Sequence, residues 1–272
     1  MSIKPLTIPA WRGLRLLEHL VTGATLSAGL AVLSLLRVRQ PWRPTLVSWW
    51  HRRLLRCLGL NVSHCGTPAA GALLVANHVS WLDIPVLGGA APLRFVSKSE
   101  VRQWPLVGWM AATAGTLFMR RGAHEAAEMT QCIAQQLQQG ATIAIFPEGT
   151  TSDGRALRRF HARLFGAAEQ DGAAVQPVAI RYGQGPEPDP VAPFIGDDTL
   201  VAHLWRLLRH RGLTAIVCFL PLLDAHSEGR RQLADAAQAA IAAQLSRQME
   251  DPLAARKELP EPRSPAVLAR RA

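Results

Sequence analysis

The chain has 272 residues, of which 49% are hydrophobic and 18% charged, and its formal net charge is +10. This length suits one large domain, or one domain with an appendage. A basic excess favours nucleic acid, anionic lipid or an acidic substrate as partner. Nucleic acid is disfavoured, because the chain has one tyrosine and no run of Lys or Arg longer than two residues. Eight tryptophans, several beside arginines, fit a membrane interface better.

The cysteine spacing indicates neither a disulfide framework nor a zinc site. The four cysteines show no CxxC spacing. We therefore expect free, mostly buried thiols in a reducing compartment, and no metal. The four positions are Cys57, Cys65, Cys132 and Cys218.

The first sixty residues predict a membrane anchor. Residues 20–36 carry no charge, and the twenty-one residues from Leu16 to Leu36 would span about 31 Å as a helix. Arg37 follows where a signal peptide would have a small-residue cleavage site, so a cleaved signal is disfavoured. Residues 41–60 are amphipathic, and their paired tryptophans and three arginines favour a helix in the headgroup layer over a core-packing helix. Two helices dipping into one leaflet would serve as well as a full span.

From residue 72 onward, short apolar runs alternate with helical patterns. This alternation predicts an α/β fold with a mostly parallel central sheet flanked by helices. The predicted strands are 72–76, 93–97, 116–119, 142–146, 175–181 and 215–220. The predicted helices are 82–87, 105–114, 123–139, 160–169, 200–210 and 228–249. The expected division is a membrane-anchoring helix pair over 1–60, an α/β domain over 61–249 and a disordered tail over 250–272.

A histidine and an aspartate follow the first predicted strand of this domain. The strand ends at Asn77 and a helix is expected near Leu82, so His78 lies at the carboxyl edge of the sheet. Asp83 can accept a hydrogen bond from one imidazole nitrogen, which fixes the tautomer and stabilises the imidazolium. The pair predicts a general base with its partner. The spacing alone also fits a structural histidine beside a helix-start aspartate.

A glycine-containing turn follows another predicted strand. Residues 146–154 read FPEGTTSDG. The backbone N–H groups near Glu148, Gly149 and Thr150 predict an anion or oxyanion cradle, although the composition also fits a plain turn. Four arginines strengthen the first interpretation: Arg155, Arg158, Arg159 and Arg163.

An arginine pair ends a third predicted strand. Arg120 and Arg121 close the segment GTLFMRRG, which begins at Gly115. Guanidinium groups pair well with phosphate or carboxylate, although a solvated strand end would look the same. A base, an anion cradle and arginines at one sheet edge predict acyl transfer to a hydroxyl. The chain has no GxSxG elbow, and neither a P-loop nor a GxGxxG pattern follows a strand.

Four segments together resemble the glycerolipid acyltransferase family, which includes the bacterial 1-acylglycerol-3-phosphate acyltransferases. Residues 77–83 match the motif N-H-x-x-x-x-D, and residues 115–121 resemble G-x-I-F-I-x-R, with Arg121 in the arginine place. Residues 146–152 resemble F-P-E-G-T-R-S, and residues 175–180 match V-x-P-V-A-I. The resemblance covers about residues 72–182, with the motifs in the family's order.

The resemblance implies a membrane-bound O-acyltransferase of lipid biosynthesis. In such an enzyme His78 is the base and Asp83 its partner. The donor is acyl-CoA or acyl carrier protein, no cofactor or metal is needed, and the acceptor is 1-acylglycerol-3-phosphate, giving phosphatidic acid. The implied location is the cytoplasmic membrane, with the site at the cytoplasmic face. The implied substrate contacts are Arg120, Arg121, Glu148, Gly149 and Thr150.

One position departs from the family pattern. Thr151 stands where the third motif has an arginine that is associated with the acceptor phosphate. Lyso-ornithine lipid or another lysolipid is therefore an alternative acceptor. A transacylase with a phospholipid donor and a catalytically inactive lipid-binding protein on the same scaffold are further alternatives.

Overall fold

The computed structural model describes residues 7–119, 123–223, 225 and 229–250. The helices in this part of the chain are α1 (Thr7–Leu35), α2 (Arg43–Leu58), α3 (Asp83–Ala90), α4 (Ser99–Arg102), α5 (Val107–Ala114), α6 (Ala123–Gln138), α7 (Gly166–Asp171), α8 (Leu200–Arg209) and α9 (Arg230–Glu250). The strands are β1 (Asn61–Cys65), β2 (Leu73–Ala76), β3 (Arg94–Lys98), β4 (Leu117–Met119), β5 (Ile143–Ile145), β6 (Val175–Tyr182) and β7 (Thr214–Phe219).

The strands form one sheet in the order β1-β7-β6-β2-β5-β3-β4. Every neighbouring pair is parallel except β6 and β7, which run antiparallel. The predicted α/β fold with a mostly parallel sheet is confirmed. Strand β1 was not predicted, because NVSHC is a short, half-exposed edge strand without the apolar run of the central strands.

Two predicted helices differ from the structure. The helix predicted over 160–169 is a 3₁₀ turn (Ala162–Phe165) followed by α7. The Phe160 N–H donates to Gln238 Oε1 at 2.9 Å and the His161 N–H donates to the Pro147 carbonyl at 2.9 Å, so these residues leave the helix. The helix predicted over 105–114 begins only at Val107, because Leu106 has a positive φ of 61°.

Apolar layers cover both faces of the sheet, and strands β2, β5 and β6 are buried throughout. Helices α2, α3 and α8 cover one face, and α6, α7 and α9 cover the other. Such burial on both faces explains the continuous Val- and Ile-rich runs. The polar loops at the carboxyl ends of β2 and β5 therefore emerge side by side from a rigid core.

Helix α1 is long and apolar enough to cross a membrane, by length and composition. Its window Pro9–Leu35 has a mean hydropathy of 1.5, and 28% of that window is buried. Large apolar side chains remain exposed along it, namely Trp11, Leu14, Leu17, Val21, Val32 and Leu35. This exposure distinguishes α1 from the buried core helix of a water-soluble domain.

Helix α2 packs on the protein more than the predicted headgroup helix would. Its residues Leu55, Cys57 and Leu58 are buried, and Arg52 donates to the Gly89 carbonyl of α3 at 2.8 Å. The core-packing alternative therefore describes the second half of α2. The reason is that α3 presents glycines to it, which allow a close approach of the two helices.

Two of the four cysteines form a disulfide. Strands β1 and β7 pair so that Cys65 lies directly beside Cys218, with 4.6 Å between their Cα atoms. The expectation of free thiols is wrong for this pair, because a contact across 153 residues leaves no signal in the spacing. Cys57 and Cys132 are free thiols.

Candidate active site

His78 and Asp83 meet in the loop between β2 and α3. The His78 Nδ1–H donates to Asp83 Oδ2 at 2.7 Å. The Asp83 side chain is fully buried, whereas 19% of the His78 side chain is exposed. With its proton on Nδ1, the imidazole presents Nε2 as an acceptor, and Nε2 has no hydrogen-bond partner among the described residues. The exposed edge of the ring is therefore able to take a proton.

The Asp83 carboxylate accepts four hydrogen bonds, one of them from His78. Its Oδ2 also accepts the Val79 and Ser80 N–H groups at 2.8 and 3.0 Å. Its Oδ1 accepts the Tyr182 hydroxyl at 2.7 Å. Burial, followed by the charge of Asp83, raises the pKa of Tyr182 well above its usual value, so this phenol remains a donor. The carboxylate is thereby fixed in the orientation that His78 needs.

Tyr182 was missed by the sequence reasoning. It is the only tyrosine in the chain, and it ends β6, the strand that carries the fourth motif. The available signal was a lone tyrosine directly after the predicted strand 175–181, because a phenol that such a strand buries requires a partner.

Asn77 anchors the exit of the chain from β2. Its Nδ2 donates to the Ile180 carbonyl and its Oδ1 accepts the Ile180 N–H, both at 2.8 Å. The side chain thus continues the pairing with β6 where β2 itself ends. This pair of bonds sets the point from which the His78 loop departs.

Glu148 ties the two site loops together. Its Oε1 accepts the His78 N–H at 2.8 Å, and its Oε2 accepts the Arg158 N–H at 3.2 Å. Burial raises the pKa of Glu148, against the lowering effect of the two N–H bonds. Both oxygens therefore contact the protein backbone, and the predicted contact with substrate stays a prediction.

The rest of the turn after β5 supports the imidazole. The Phe146 ring stacks on His78, with 4.1 Å between ring centroids and 17° between planes. Gly149 has a φ of +70° and donates its N–H to the Phe146 carbonyl at 3.1 Å, so this donor is used within the turn. Thr150 is exposed beside it.

Ser152 holds the other end of the His78 peptide unit. Its N–H and its hydroxyl both donate to the His78 carbonyl, at 2.8 and 3.2 Å. Together with Glu148, which accepts the His78 N–H, this fixes the backbone of the histidine on both sides. Thr151 donates its hydroxyl to the Phe194 carbonyl, and the Phe194 N–H donates to the Val79 carbonyl at 3.0 Å.

The arginine pair lies outside the described residues. Arg120 and Arg121 follow β4, whose carboxyl end points to the same sheet edge as that of β2. Strand β4 is three positions from β2 in the sheet, which is about 14 Å at the usual strand spacing.

Of the predicted site residues, the structure brings together those on the two loops after β2 and β5, namely His78, Asp83, Glu148, Gly149 and Thr150.

A cavity lined by both charged and apolar side chains lies beside these loops. It has a volume of about 410 Å³, and Asp153 and Arg155 contribute to its lining. Within the described ranges, no group of three or more His, Cys, Asp and Glu side chains is arranged to hold a metal ion.

Comparison with known proteins identifies the family. Residues 61–181 match the Acyltransferase family model. The lyso-ornithine lipid O-acyltransferase of Pseudomonas aeruginosa is 48% identical over 223 residues, which cover 79% of this chain and 86% of that protein. The 1-acyl-sn-glycerol-3-phosphate acyltransferase of Neisseria gonorrhoeae is 38% identical over 192 residues, which cover 68% and 74%.

A solved structure has the same fold. The crystal structure of PlsC, the 1-acyl-sn-glycerophosphate acyltransferase from Thermotoga maritima, superposes with a TM-score of 0.67 at 22% identity. The match covers 92% of this chain and 97% of the other. Because the two relatives are 48% and 38% identical over most of their length, and the family model matches the motif region, this chain belongs to the acyltransferase family.

Proposed function

We propose that this protein transfers a fatty acyl group from a thioester to the free hydroxyl of a lysolipid, with His78 as the general base. The observation that carries the proposal is the 2.7 Å bond from His78 Nδ1 to the buried Asp83, which leaves Nε2 directed away as an acceptor. A base needs this state, because a nitrogen that is already protonated cannot accept the substrate's proton.

The proposed reaction is one direct transfer. Nε2 of His78 takes the proton of the acceptor hydroxyl while the hydroxyl oxygen attacks the thioester carbonyl carbon. Asp83 stabilises the imidazolium that forms. The carbon–sulfur bond then breaks, and the leaving thiolate takes the proton from His78 and departs as a thiol. General-base assistance of this kind contributes roughly 10²–10⁴-fold to the rate.

We propose lyso-ornithine lipid as the acceptor. The relative from Pseudomonas aeruginosa carries that activity in its name, and Thr151 replaces the arginine of the third motif. The second candidate is 1-acylglycerol-3-phosphate, which the relative from Neisseria gonorrhoeae favours. For either acceptor, Arg120 and Arg121 would contact the anionic part of the substrate.

The proposed location is the cytoplasmic face of the cytoplasmic membrane. The exposed apolar side chains of α1 support a lipid environment for that helix. Acyl-CoA or acyl carrier protein is the proposed donor, and both are water-soluble carriers available on that side. No cofactor or metal takes part in the proposed reaction.

The test is acyl transfer by the protein purified in detergent. Labelled acyl-CoA and labelled acyl carrier protein are each offered with lyso-ornithine lipid and, separately, with 1-acylglycerol-3-phosphate. We expect thioester-dependent acylation of lyso-ornithine lipid. Turnover of 1-acylglycerol-3-phosphate alone would favour the second candidate. Turnover of neither acceptor, or turnover that needs only a phospholipid donor, would contradict the proposal.

A further inference from the structure

The cavity beside the site loops carries charges of both signs. Its lining combines three prolines and Ile195 with acidic and basic side chains. The charged members are Asp153, Arg155, Asp189, Asp198 and Arg206. A volume of about 410 Å³ lies within the usual range for small-molecule sites.

This cavity adjoins the loop that carries His78. Phe194, between two lining residues, donates its N–H to the Val79 carbonyl at 3.0 Å and accepts the Thr151 hydroxyl. Gly154 lies between Val79 and the lining residue Pro188, since a methyl group there would stand 3.5 Å from Val79 and 3.9 Å from Pro188. The wall of the cavity is therefore continuous with the residue next to the base.

Three of the five charged side chains are committed to the protein. Arg206 and Asp198 form a two-pronged ion pair, with both distances 2.7 Å. Asp189 Oδ1 accepts the Val191 and Ala192 N–H groups at 2.8 and 3.3 Å. Its Oδ2 lies 3.5 Å from His210 Nε2. These side chains form a fixed wall rather than free ligands.

Asp153 and Arg155 remain available to a ligand. Asp153 is exposed, and in the described part of the chain it accepts one bond, at Oδ1, from the Arg155 N–H at 3.0 Å. Arg155 Nη1 lies 3.0 Å from Glu187 Oε2, but the two side chains are 65% and 73% exposed. An ion pair that exposed is weak and exchanges readily for a ligand.

We propose that this cavity binds the zwitterionic amino-acid head group of the acceptor, with Asp153 on its ammonium and Arg155 on its carboxylate. The inference rests on the proposed function and names the subsite that selects the acceptor. An ornithine head group linked through its α-nitrogen carries one carboxylate and one side-chain ammonium. The cavity has three carboxylates against two guanidiniums, so it matches a group of both charges better than a phosphate dianion.

Thr151 fits the same assignment. An arginine there would add a positive charge between the base and the cavity, as phosphate binding needs. The threonine instead donates its hydroxyl to the carbonyl of Phe194, which lies between the lining residues Pro193 and Ile195. The change from the family pattern thus removes an anion ligand and leaves a mixed-charge space.

The test uses Asp153→Asn and Arg155→Gln in the full chain. Their matched controls are Asp197→Asn and Arg211→Gln, two exposed residues that do not line the cavity. We expect each cavity variant to raise KM for lyso-ornithine lipid about tenfold, the value of one charged hydrogen bond, with kcat nearly unchanged. The controls should match the wild type. Turnover of 1-acylglycerol-3-phosphate, where present, should not fall in Asp153→Asn.

An acceptor without a free carboxylate tests the proposed contact of Arg155 separately from that of Asp153. The carboxyl methyl ester of lyso-ornithine lipid should raise KM of the wild type and of Asp153→Asn, but not that of Arg155→Gln, which has already lost this contact. If the wild type acylates lyso-ornithine lipid and both variants keep KM within about twofold, the cavity assignment is overturned and the proposed function stands. Acylation of 1-acylglycerol-3-phosphate alone overturns the cavity and the acceptor but not the acyl transfer. Turnover of neither acceptor overturns both proposals.

Discussion

The loops around His78 and the outer face of α1 differ in whether the protein itself provides contacts for their side chains. At the loops, polar groups are paired by partners far away in the chain: Glu148 lies 70 residues from His78, and Tyr182 lies 99 residues from Asp83. On α1, by contrast, large apolar side chains remain more than half exposed, with Leu17 and Val21 both 60% exposed. The chain pairs the polar groups of the first region by itself, whereas the second leaves apolar surface that the proposed contact with lipid would cover. Changes in the two regions should therefore separate chemistry from membrane binding.

The largest expected effect is that of His78→Ala. Removing the base should lower kcat by about 10²–10⁴-fold, while the fold and the membrane binding of α1 persist. The measurements are initial rates, thermal unfolding and sedimentation with vesicles. The matched control is His64→Ala, on the exposed edge strand β1, which should keep wild-type rates. A retained rate above about a tenth of wild type would rule out the base assignment.

Asp83→Asn should lower kcat by about 10²-fold, because the imidazolium loses its counter-charge. An asparagine fits the site: its oxygen can accept the bonds that Oδ2 accepts, and its amide can donate to the Tyr182 oxygen. Geometry is thus retained while charge is lost. Rates across pH and a crystal or NMR check of the His78 contact would test this. An unchanged kcat would show that Asp83 acts only by packing.

A charge on α1 should affect location rather than chemistry. Leu17→Glu or Val21→Glu should lower partitioning into vesicles by about 100-fold, since a charge inside a membrane helix costs about 2.5–3.5 kcal/mol. The matched control is Val201→Glu on α8, at a site that is 78% exposed. In detergent, all three should retain turnover of a soluble short-chain acceptor. Equal partitioning of the α1 variants and the wild type would disprove the lipid contact.

Local patterns were enough to predict the elements that place the site. The apolar runs of β2, β5 and β6 are continuous because these strands are buried on both faces. Since β2 and β5 are parallel neighbours, His78 and Glu148 had to emerge at one edge. The histidine–aspartate contact also followed from short-range spacing.

Long-range contacts could not be predicted in the same way. Two contacts depend on which strands pair: the bond from Tyr182 to Asp83 and the disulfide from Cys65 to Cys218. The spacing of residues along the sequence does not indicate which strands will be neighbours. The second half of α2 was misjudged because its amphipathic pattern looks the same whether lipid or α3 covers it. The two backbone N–H groups that the Glu148 carboxylate accepts, from His78 and Arg158, also left no signal in the sequence, and its predicted contact with substrate stays a prediction.

A smaller effect is expected from acid at the contact between α2 and α3. Burial lowers the pKa of His51 to about 4, and Gly88 leaves the room that its ring needs. Between about pH 6.5 and 4, His51 is therefore protonated in the unfolded chain but neutral in the folded protein. The free energy of unfolding should fall by up to about 3 kcal/mol as pH drops from about 6.5 to 4, with no contribution from His51 above that range.

His51→Gln tests this pH dependence, since glutamine does not titrate. Chemical unfolding in detergent, followed by tryptophan fluorescence at several pH values, should give a shallower loss of stability between about pH 6.5 and 4 than in the wild type. The carboxylates contribute equally to both proteins, so the difference isolates the histidine. Identical slopes would mean that His51 takes up its proton in the folded state.

The smallest expected effect is that of Tyr182→Phe. The change removes one hydroxyl and leaves Asp83 Oδ1 buried without its donor, which should cost about 1–3 kcal/mol of the free energy of unfolding. Asp83 keeps its Val79 and Ser80 bonds, so His78 stays oriented and kcat should fall by no more than about tenfold. Unfolding curves and initial rates on the same preparation measure both. A loss of rate as large as that of Asp83→Asn, at unchanged stability, would instead give the phenol a direct part in the chemistry. Asp83 Oδ1, which accepts the Tyr182 hydroxyl, would then contribute to catalysis as Oδ2 does, rather than only holding the carboxylate in place.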